Sequence, residues 1–222
     1  MRGVFVTGTD TGVGKTVVAA AVCAALRARG ERVVAWKPVV TGTDEPGEPD
    51  HALLARASGT QPSEVAPLTF EPAVSPHLAA DLAGSTIDPT ALVASARAAA
   101  GGAEILVVEG VGGLLVPLTL GFLVRDLARE VGLPLVVAAR PGLGTINHTL
   151  LTVEAARAVG LKVVGVVLTP WADAPSAMER SNHDTIERLA GVEVSTLPRL
   201  TGADPGLLAG AGAGLPLDAW LA

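Results

Sequence analysis

Three features of the chain predict an α/β fold with a doubly wound, mainly parallel sheet and helices on both faces. Short valine-rich runs alternate with alanine-rich segments of helical length over nearly the whole sequence. The runs are apolar throughout instead of alternating with polar residues, which is the pattern of strands buried on both faces. The first run breaks into a glycine-rich loop that passes directly into a helical segment. Repeated strand–helix units of this kind place ligands beyond the carboxyl ends of the strands. The length of 222 residues suits one domain spanning the chain.

Strands are expected at residues 4–6, 33–36, 105–108, 135–138, 163–168 and 192–194, where valine, isoleucine and leucine cluster. A helix over 15–29 is stopped by Gly30, and one over 89–100 has Asp88 as its cap and Pro89 in its first turn. Further helices are expected over 123–131, over 145–159, stopped by Gly160, and over 177–189. No internal repeat is visible. The last stretch, residues 202–222, is rich in glycine and alanine and is expected to pack loosely, without a chemical role.

Residues 4–16 read Val-Phe-Val-Thr-Gly-Thr-Asp-Thr-Gly-Val-Gly-Lys-Thr. A loop that wraps a polyphosphate brings successive backbone N–H groups close to its oxygens, and Gly8, Gly12 and Gly14 allow that approach. Lys15 offers a cation to the β- and γ-phosphates, Thr16 a hydroxyl to Mg²⁺, and the helix that begins there points its positive end at the anion. Five residues separate Gly8 from Gly14, and Thr9 stands where the strict pattern has its first glycine, so this is a variant of the phosphate loop. The fold is therefore expected to be of the P-loop NTPase type.

Other polar residues fall at predicted strand ends. Lys37 closes the second apolar run, and a lysine there, beside a phosphate loop, is a candidate for anion contact. Asp50 opens a helical segment and is either its N-cap or a metal ligand; spacing leaves both open. Glu109 ends the run Val107-Val108 and precedes Gly110, Gly112 and Gly113, the usual place for a second Mg²⁺ anchor. The four histidines have no ligand spacing, and His77 and His148 are expected to be hydrogen-bonded structural residues.

Composition excludes several classes. A net charge of −6 and 3% aromatic residues leave neither a basic surface nor stacking platforms for nucleic acid. Arg, Asp or Pro interrupts every apolar stretch before the ~20 residues that span a bilayer. Met1 to Val6 leads straight into the polar loop, unlike a secretory leader, and the single Cys23 suits a reducing compartment, so a cytoplasmic protein is expected. Cys23 itself is expected in the core.

Taken together, several motifs resemble those of dethiobiotin synthetase, the ATP-dependent ligase family of biotin biosynthesis. They are Gly8-Thr9-Asp10-Thr11 with Gly14-Lys15-Thr16, Lys37-Pro38-Val39, Thr69-Phe70 with Ser75-Pro76-His77, Val108-Glu109-Gly110 with Gly112-Gly113, and Gly144-Thr145-Ile146-Asn147-His148. The resemblance implies that 7,8-diaminopelargonic acid is carbamated by CO₂, that ATP phosphorylates the carbamate, and that the neighbouring amine closes a ureido ring. It implies Lys37, Lys15 and Thr11 as catalytic residues, with Thr11, Lys37 and Thr41 facing the substrate. Gly12, Val13, Gly14, Lys15, Thr16 and Val17 would hold the triphosphate, and Thr16, Asp50 and Glu109 the Mg²⁺. Gly110, Val111, Gly112 and Gly113 would form the substrate and phosphate edge. Thr169, Pro170, Leu197, Pro198 and Arg199 would lie towards the nucleotide base. Gly144, Thr145, Ile146 and Asn147 would reach the substrate tail of the other subunit across a homodimer interface.

Two departures from the family pattern stand out. Some members carry an acidic residue at the position of Gly12, and many carry a base-reading asparagine where this chain has Thr169-Pro170-Trp171. Proline lacks an N–H and a hydroxyl cannot reproduce a carboxamide's paired donor and acceptor, so base recognition is expected to differ. The alternatives are a partitioning or cell-division ATPase switch, or another P-loop ligase acting on a small acid. The first needs a lysine four residues before the second loop glycine, where this chain has Asp10.

Overall fold

Strand β1 (Gly3–Gly8) is buried along its whole length and passes through glycines into α1 (Lys15–Ala28). The computed structural model describes residues 1–222. After α1 come β2 (Val33–Trp36), the short β3 (Val40–Thr41), α2 (Asp50–Ser58), the single turn α3 (Pro62–Val65), β4 (Thr69–Phe70), α4 (Pro76–Leu82) and α5 (Pro89–Gly101). The second half runs β5 (Ile105–Glu109), the hairpin β6 (Pro117–Thr119) and β7 (Phe122–Leu123), α6 (Val124–Val131), β8 (Leu135–Ala139) and α7 (Thr145–Arg157). It ends with β9 (Val163–Trp171), α8 (Ala177–Ala190), β10 (Val194–Pro198), α9 (Pro205–Gly212) and α10 (Leu217–Trp220).

Six strands form one parallel sheet in the order β10-β9-β8-β1-β5-β2. The chain leaves β1 towards the β2 edge and later leaves β5 across β1 to β8, so the winding reverses around β1 and β5. That switch opens a crevice outside the carboxyl ends of the two strands. In register, Val6 lies opposite Glu109 on one side and Val136 on the other.

Alternate residues of each strand serve opposite faces. Phe5, Leu106, Val108 and Val137 join a cluster of 31 buried residues, whereas Val4, Val6, Val107 and Val136 join one of 28 beneath α1. Near-equal clusters on both faces explain why the strand sequences are apolar without alternation. Asp88 caps α5 as expected, its side chain accepting from the Thr90 N–H, and Gly30 and Gly160 take left-handed φ values of 85° and 79° after their helices. Cys23 is fully buried in the core, and burial pushes its thiol pKa up. No helix is long and apolar enough to cross a membrane.

Three expectations change. β10 begins at Val194, two residues beyond Val192, its expected start, because Gly191 ends α8 in a left-handed turn and the chain re-enters the sheet only after Glu193. β9 continues through Thr169 and Pro170, where the peptide is cis, to Trp171. The largest change is at the C-terminus, which is closely packed. α9 lies so near α1 that a Cβ on Gly212 would stand 2.2 Å from the Ala21 carbonyl oxygen. Trp220 is 1% exposed over Gly165, where a Cβ would come within 2.8 Å of the indole nitrogen. The small residues there permit close approach between helices, not slackness.

Gly212→Val, which forces α9 off α1, is therefore expected to cost about 1–3 kcal/mol, the usual range for overpacking. Urea denaturation against the parent checks it, and an unchanged midpoint would mean that α9 is not fixed on α1.

Candidate active site

Between β1 and α1 the loop turns on Gly12 and Gly14, with φ of 71° and 91°. Gly14 occupies the N-cap position of α1, and no side chain caps the helix, so the first N–H groups of α1 remain open to an anion. A Cβ on Gly14 would meet the Thr169 methyl group at 2.6 Å, which places β9 directly against the loop. Lys15 is 6% exposed; its Nζ donates to the Asp10 carbonyl oxygen at 2.9 Å. Burial lowers the Lys15 pKa, with the Glu109 charge opposing the shift. Val13 is buried in the core, so only its backbone faces the loop interior.

Opposite the loop, β2, α2 and β5 bring Lys37, Asp50 and Glu109 together. Lys37, 3% exposed, donates to Asp50 Oδ2 at 2.5 Å and to Glu109 Oε1 at 2.6 Å. Thr16 Oγ1 lies 3.0 Å from Asp50 Oδ1 and 2.9 Å from Glu109 Oε1. Asp50 does not cap α2; Pro49 holds the N-cap position, and both Asp50 oxygens turn inward to Thr16 and Lys37. Burial would lower the Lys37 pKa, but the two carboxylates outweigh it and hold the ammonium above its ordinary value. Burial raises Glu109, and Lys37 only partly offsets that. Asp50 moves the other way: its burial is outweighed by the charge of Lys37 and by hydrogen bonds from Lys37 and Thr16. The contrast follows exposure, since the Asp50 side chain is 45% exposed and that of Glu109 1%.

The cluster also fits a hard divalent cation. Its donors are all oxygens, and Glu109 Oε2 is buried without a hydrogen-bond partner. Magnesium typically takes one or two carboxylates and fills its remaining positions with water and phosphate oxygens.

A cavity of about 560 Å³ joins the two halves. Its wall includes Thr11, Gly12, Gly14, Lys15, Thr16, Lys37, Thr41, Asp50, Glu109, Val111 and Gly112. Residues 73–76 and Val116 line it as well, although sequence reasoning did not assign them to the site. The pairing of β3 with β4 delivers them: Gly42 N–H donates to the Pro72 carbonyl at 3.1 Å, setting Ala73 beside Gly42 and Ser75 at the start of α4. The available signal was the motif Ser75-Pro76-His77; in the structure the Ser75 hydroxyl caps nothing at the start of α4.

Other assigned residues lie elsewhere. Thr145 and His148, at the N-terminus of α7, line a separate hollow of about 230 Å³ with Thr9, Arg140, Gly142 and Leu143, and Asn147 is exposed beside it. Gly110 lies outside the main cavity because its N–H bonds to the Val6 carbonyl and a Cβ there would press on Phe5 and Val124 at 3.1 Å. Gly113 lines a third hollow with Leu115 and Leu151. Leu197 is buried in the core, whereas Pro198 and Arg199 are exposed at the end of β10. Trp171 packs on the core with its ring 6.0 Å from that of His183. The expectation for His77 and His148 does not hold: His77 Nδ1 is buried without a partner, and His148 is exposed.

A parallel sheet, a glycine loop entering an uncapped helix, and a buried lysine held between two carboxylates define a P-loop nucleotide-binding protein. A family model described as an AAA domain matches residues 2–204. An ATP-dependent dethiobiotin synthetase from Bacillus licheniformis is 40% identical over 210 residues, covering 92% of this chain and 89% of the relative. Its counterpart in Anaeromyxobacter sp. (strain Fw109-5) is 46% identical over 196 residues, 87% of each chain, and that of Haloferax mediterranei 43% over 200 residues, 90% of this chain and 85% of the relative. The chain belongs to the ATP-dependent dethiobiotin synthetase family. A ParA family ATPase from Chlorobium tepidum TLS shares the fold, with a TM-score of 0.58 at 15% identity over 96% of this chain and 91% of that one.

Asparagine matches aspartate in size and keeps one acceptor oxygen, so Asp50→Asn isolates the charge. Because the Asp50 carboxyl is held below its ordinary value, its contribution to stability is present above about pH 4 and is lost as pH falls through the lower folded value. The variant is expected to be less stable than the parent at neutral pH and to converge with it in acid. Chemical denaturation as a function of pH checks this, and a constant difference at every pH would mean that the charge contributes nothing.

Proposed function

We propose that this protein is a dethiobiotin synthetase, an ATP- and Mg²⁺-dependent ligase acting on 7,8-diaminopelargonic acid and CO₂. The observation that carries the reading is one cavity in which the phosphate loop, Lys37 between two carboxylates, and the Thr11 and Thr41 residues converge, in a chain of this family. One substrate amine adds to CO₂ and loses a proton, giving a carbamate. A carbamate oxygen then attacks the γ-phosphorus as the bond to ADP breaks. The second amine attacks the carbamoyl carbon, phosphate departs with its oxygen, and the ureido ring closes.

An unprotonated amine attacks CO₂ without a strong general base, so the protein's task is alignment and charge stabilisation. The loop N–H groups and the N-terminus of α1 receive the triphosphate, with Lys15 leaving the Asp10 carbonyl to meet it. Thr16, Asp50 and Glu109 would hold Mg²⁺, which when bound neutralises charge on the β- and γ-phosphates. Lys37, Thr11 and Thr41 bind and orient the carbamate end. The loop contacts are blind to the base, and Thr169, whose methyl group lies against Gly14, replaces the asparagine of other members, so base choice falls to backbone groups near Pro198 and Arg199.

The other end of the substrate belongs to a second subunit in this reading. The α7 N-terminus opens into its own hollow away from Lys37, and Leu143 beside it is 93% exposed. Leu115 and Leu151, 52% and 57% exposed, rim the adjoining hollow. An uncovered apolar margin around a polar hollow supports a homodimer in which Gly144 to Asn147 hold the carboxylate tail of the partner's substrate. We place the enzyme in the cytoplasm, where a lone buried thiol stays reduced. A switch-ATPase role lacks its cross-subunit lysine, since the side chain at that position is Asp10, which accepts from the Thr11 N–H.

Phosphate release from ATP is expected to depend on both diaminopelargonic acid and bicarbonate. Lys15→Ala should leave the protein folded and slow that release by about a hundred- to a thousandfold, as for other lost transition-state contacts. Near-normal turnover would refute the phosphate assignment.

The shared site has a sharper test. Lys37→Ala is expected to impair mainly turnover and Asn147→Ala mainly substrate binding. In their heterodimer one site carries both lesions and the other none. A subunit-exchanged equal mixture of the two should regain up to about a quarter of parental activity, because half the dimers are mixed and each has one intact site. If tagged subunits co-purify as mixed dimers and no activity returns, each site lies within one chain.

A further inference from the structure

Between them, Asp50 and Glu109 have four carboxylate oxygens, and Lys37 and Thr16 together engage all except Glu109 Oε2. These are the same oxygens that would take a divalent cation in the proposed reaction, and the ammonium already stands between them. Two carboxylates in contact with one hydroxyl, one of them 1% exposed, repel each other unless a positive charge sits with them. The ammonium supplies that charge. We propose that Lys37 has a second role as the resident counter-ion of the cation site: it holds Asp50 and Glu109 together in the nucleotide-free enzyme, and arrival of the cation releases it into the substrate cavity.

Magnesium binds oxygens at ~2.0–2.1 Å, so on these carboxylates it would lie within a few ångströms of an ammonium hydrogen-bonded to the same atoms. Like charges that close repel each other strongly where burial limits screening, and Lys37 and Glu109 are 3% and 1% exposed. The neighbouring space can receive the lysine. Lys37 lines the 560 Å³ cavity together with Thr11, Thr41 and Ser75, and its flexible stem lets the ammonium turn without moving β2. Metal arrival and presentation of Lys37 to the substrate thus become one event, which delays formation of the anion-binding site until the cation is in place. The inference rests on the proposed function only for the identity of the cation and of the groups that Lys37 then meets.

The chain has three lysines, Lys15, Lys37 and Lys162, so acylation of surface amines read by mass spectrometry follows each one separately. In EDTA, Lys37 should react far more slowly than the exposed Lys162. Saturating Mg²⁺ alone should raise the Lys37 rate severalfold and leave Lys162 unchanged; an unchanged Lys37 rate overturns the proposal. As a second measurement, Mn²⁺ binding followed by electron paramagnetic resonance should be severalfold tighter in Lys37→Met than in the parent. Equal or weaker binding in a folded variant also overturns it. If Lys37→Met fails to fold, labelling of the parent decides. Neither readout involves ATP turnover, so absence of substrate-dependent phosphate release would refute the proposed function and leave both measurements intact.

Discussion

Glu109 places a carboxylate, 1% exposed, at the end of a central parallel strand, and the arrangement around it follows from that burial. An ionised group removed from water is strongly unfavourable unless a partner and hydrogen bonds accompany it. Lys37 meets Glu109 from the adjoining strand, Asp50 approaches from the first turn of α2, and Thr16 from the first turn of α1. Four elements distant in sequence are thereby tied at one point. Apolar side chains in these positions would have been easier to bury, so the cluster is explained by its chemistry more than by stability.

The winding of the sheet makes the convergence possible. β2 and β5 are neighbours, and Trp36 pairs in register with Val108, so Lys37, just beyond β2, and Glu109, the last residue of β5, lie side by side at the carboxyl edge of the sheet. Across the switch point β1 releases the phosphate loop into the crevice, and β9 brings Thr169 against Gly14. β1, β2, β5 and β9 each deliver a loop or a polar residue at the carboxyl end and are mainly apolar elsewhere. Core and site therefore share strands without competing for the same positions.

The C-terminal helices show how a remote segment supports this edge. α1 begins with Lys15 and Thr16 and has to stay fixed for the loop to keep its shape. Its outer surface is alanine-rich, and α9 lies on it at Gly212 with backbone-level contact. Trp220 closes the same layer over Gly165 of β9. The helix that presents the phosphate-loop residues is thus backed directly by the C-terminal stretch.

The sequence alone determined the six strands of the main sheet, the main helices and the phosphate loop, because these signals are local: apolar runs of strand length, caps, stop glycines, and glycines before Lys15 and Thr16. It also singled out Lys37 and Glu109, since charged residues at the ends of buried runs need a reason to be there, and Asp50 at the start of a helical segment. Asp50 remained ambiguous between cap and ligand until the direction of its side chain was known, and direction is a property of tertiary packing. Residues 73–76 entered the cavity only through the pairing of β3 with β4, two-residue strands too short to carry a periodic signal. The C-terminus misled for a related reason: glycine and alanine read as weak local structure, whereas here their small size admits a neighbouring helix. Tertiary structure decided what depended on distance across the chain, namely which oxygens gather around Lys37, which glycines exist for packing, and that Lys37 and the α7 N-terminus line different hollows.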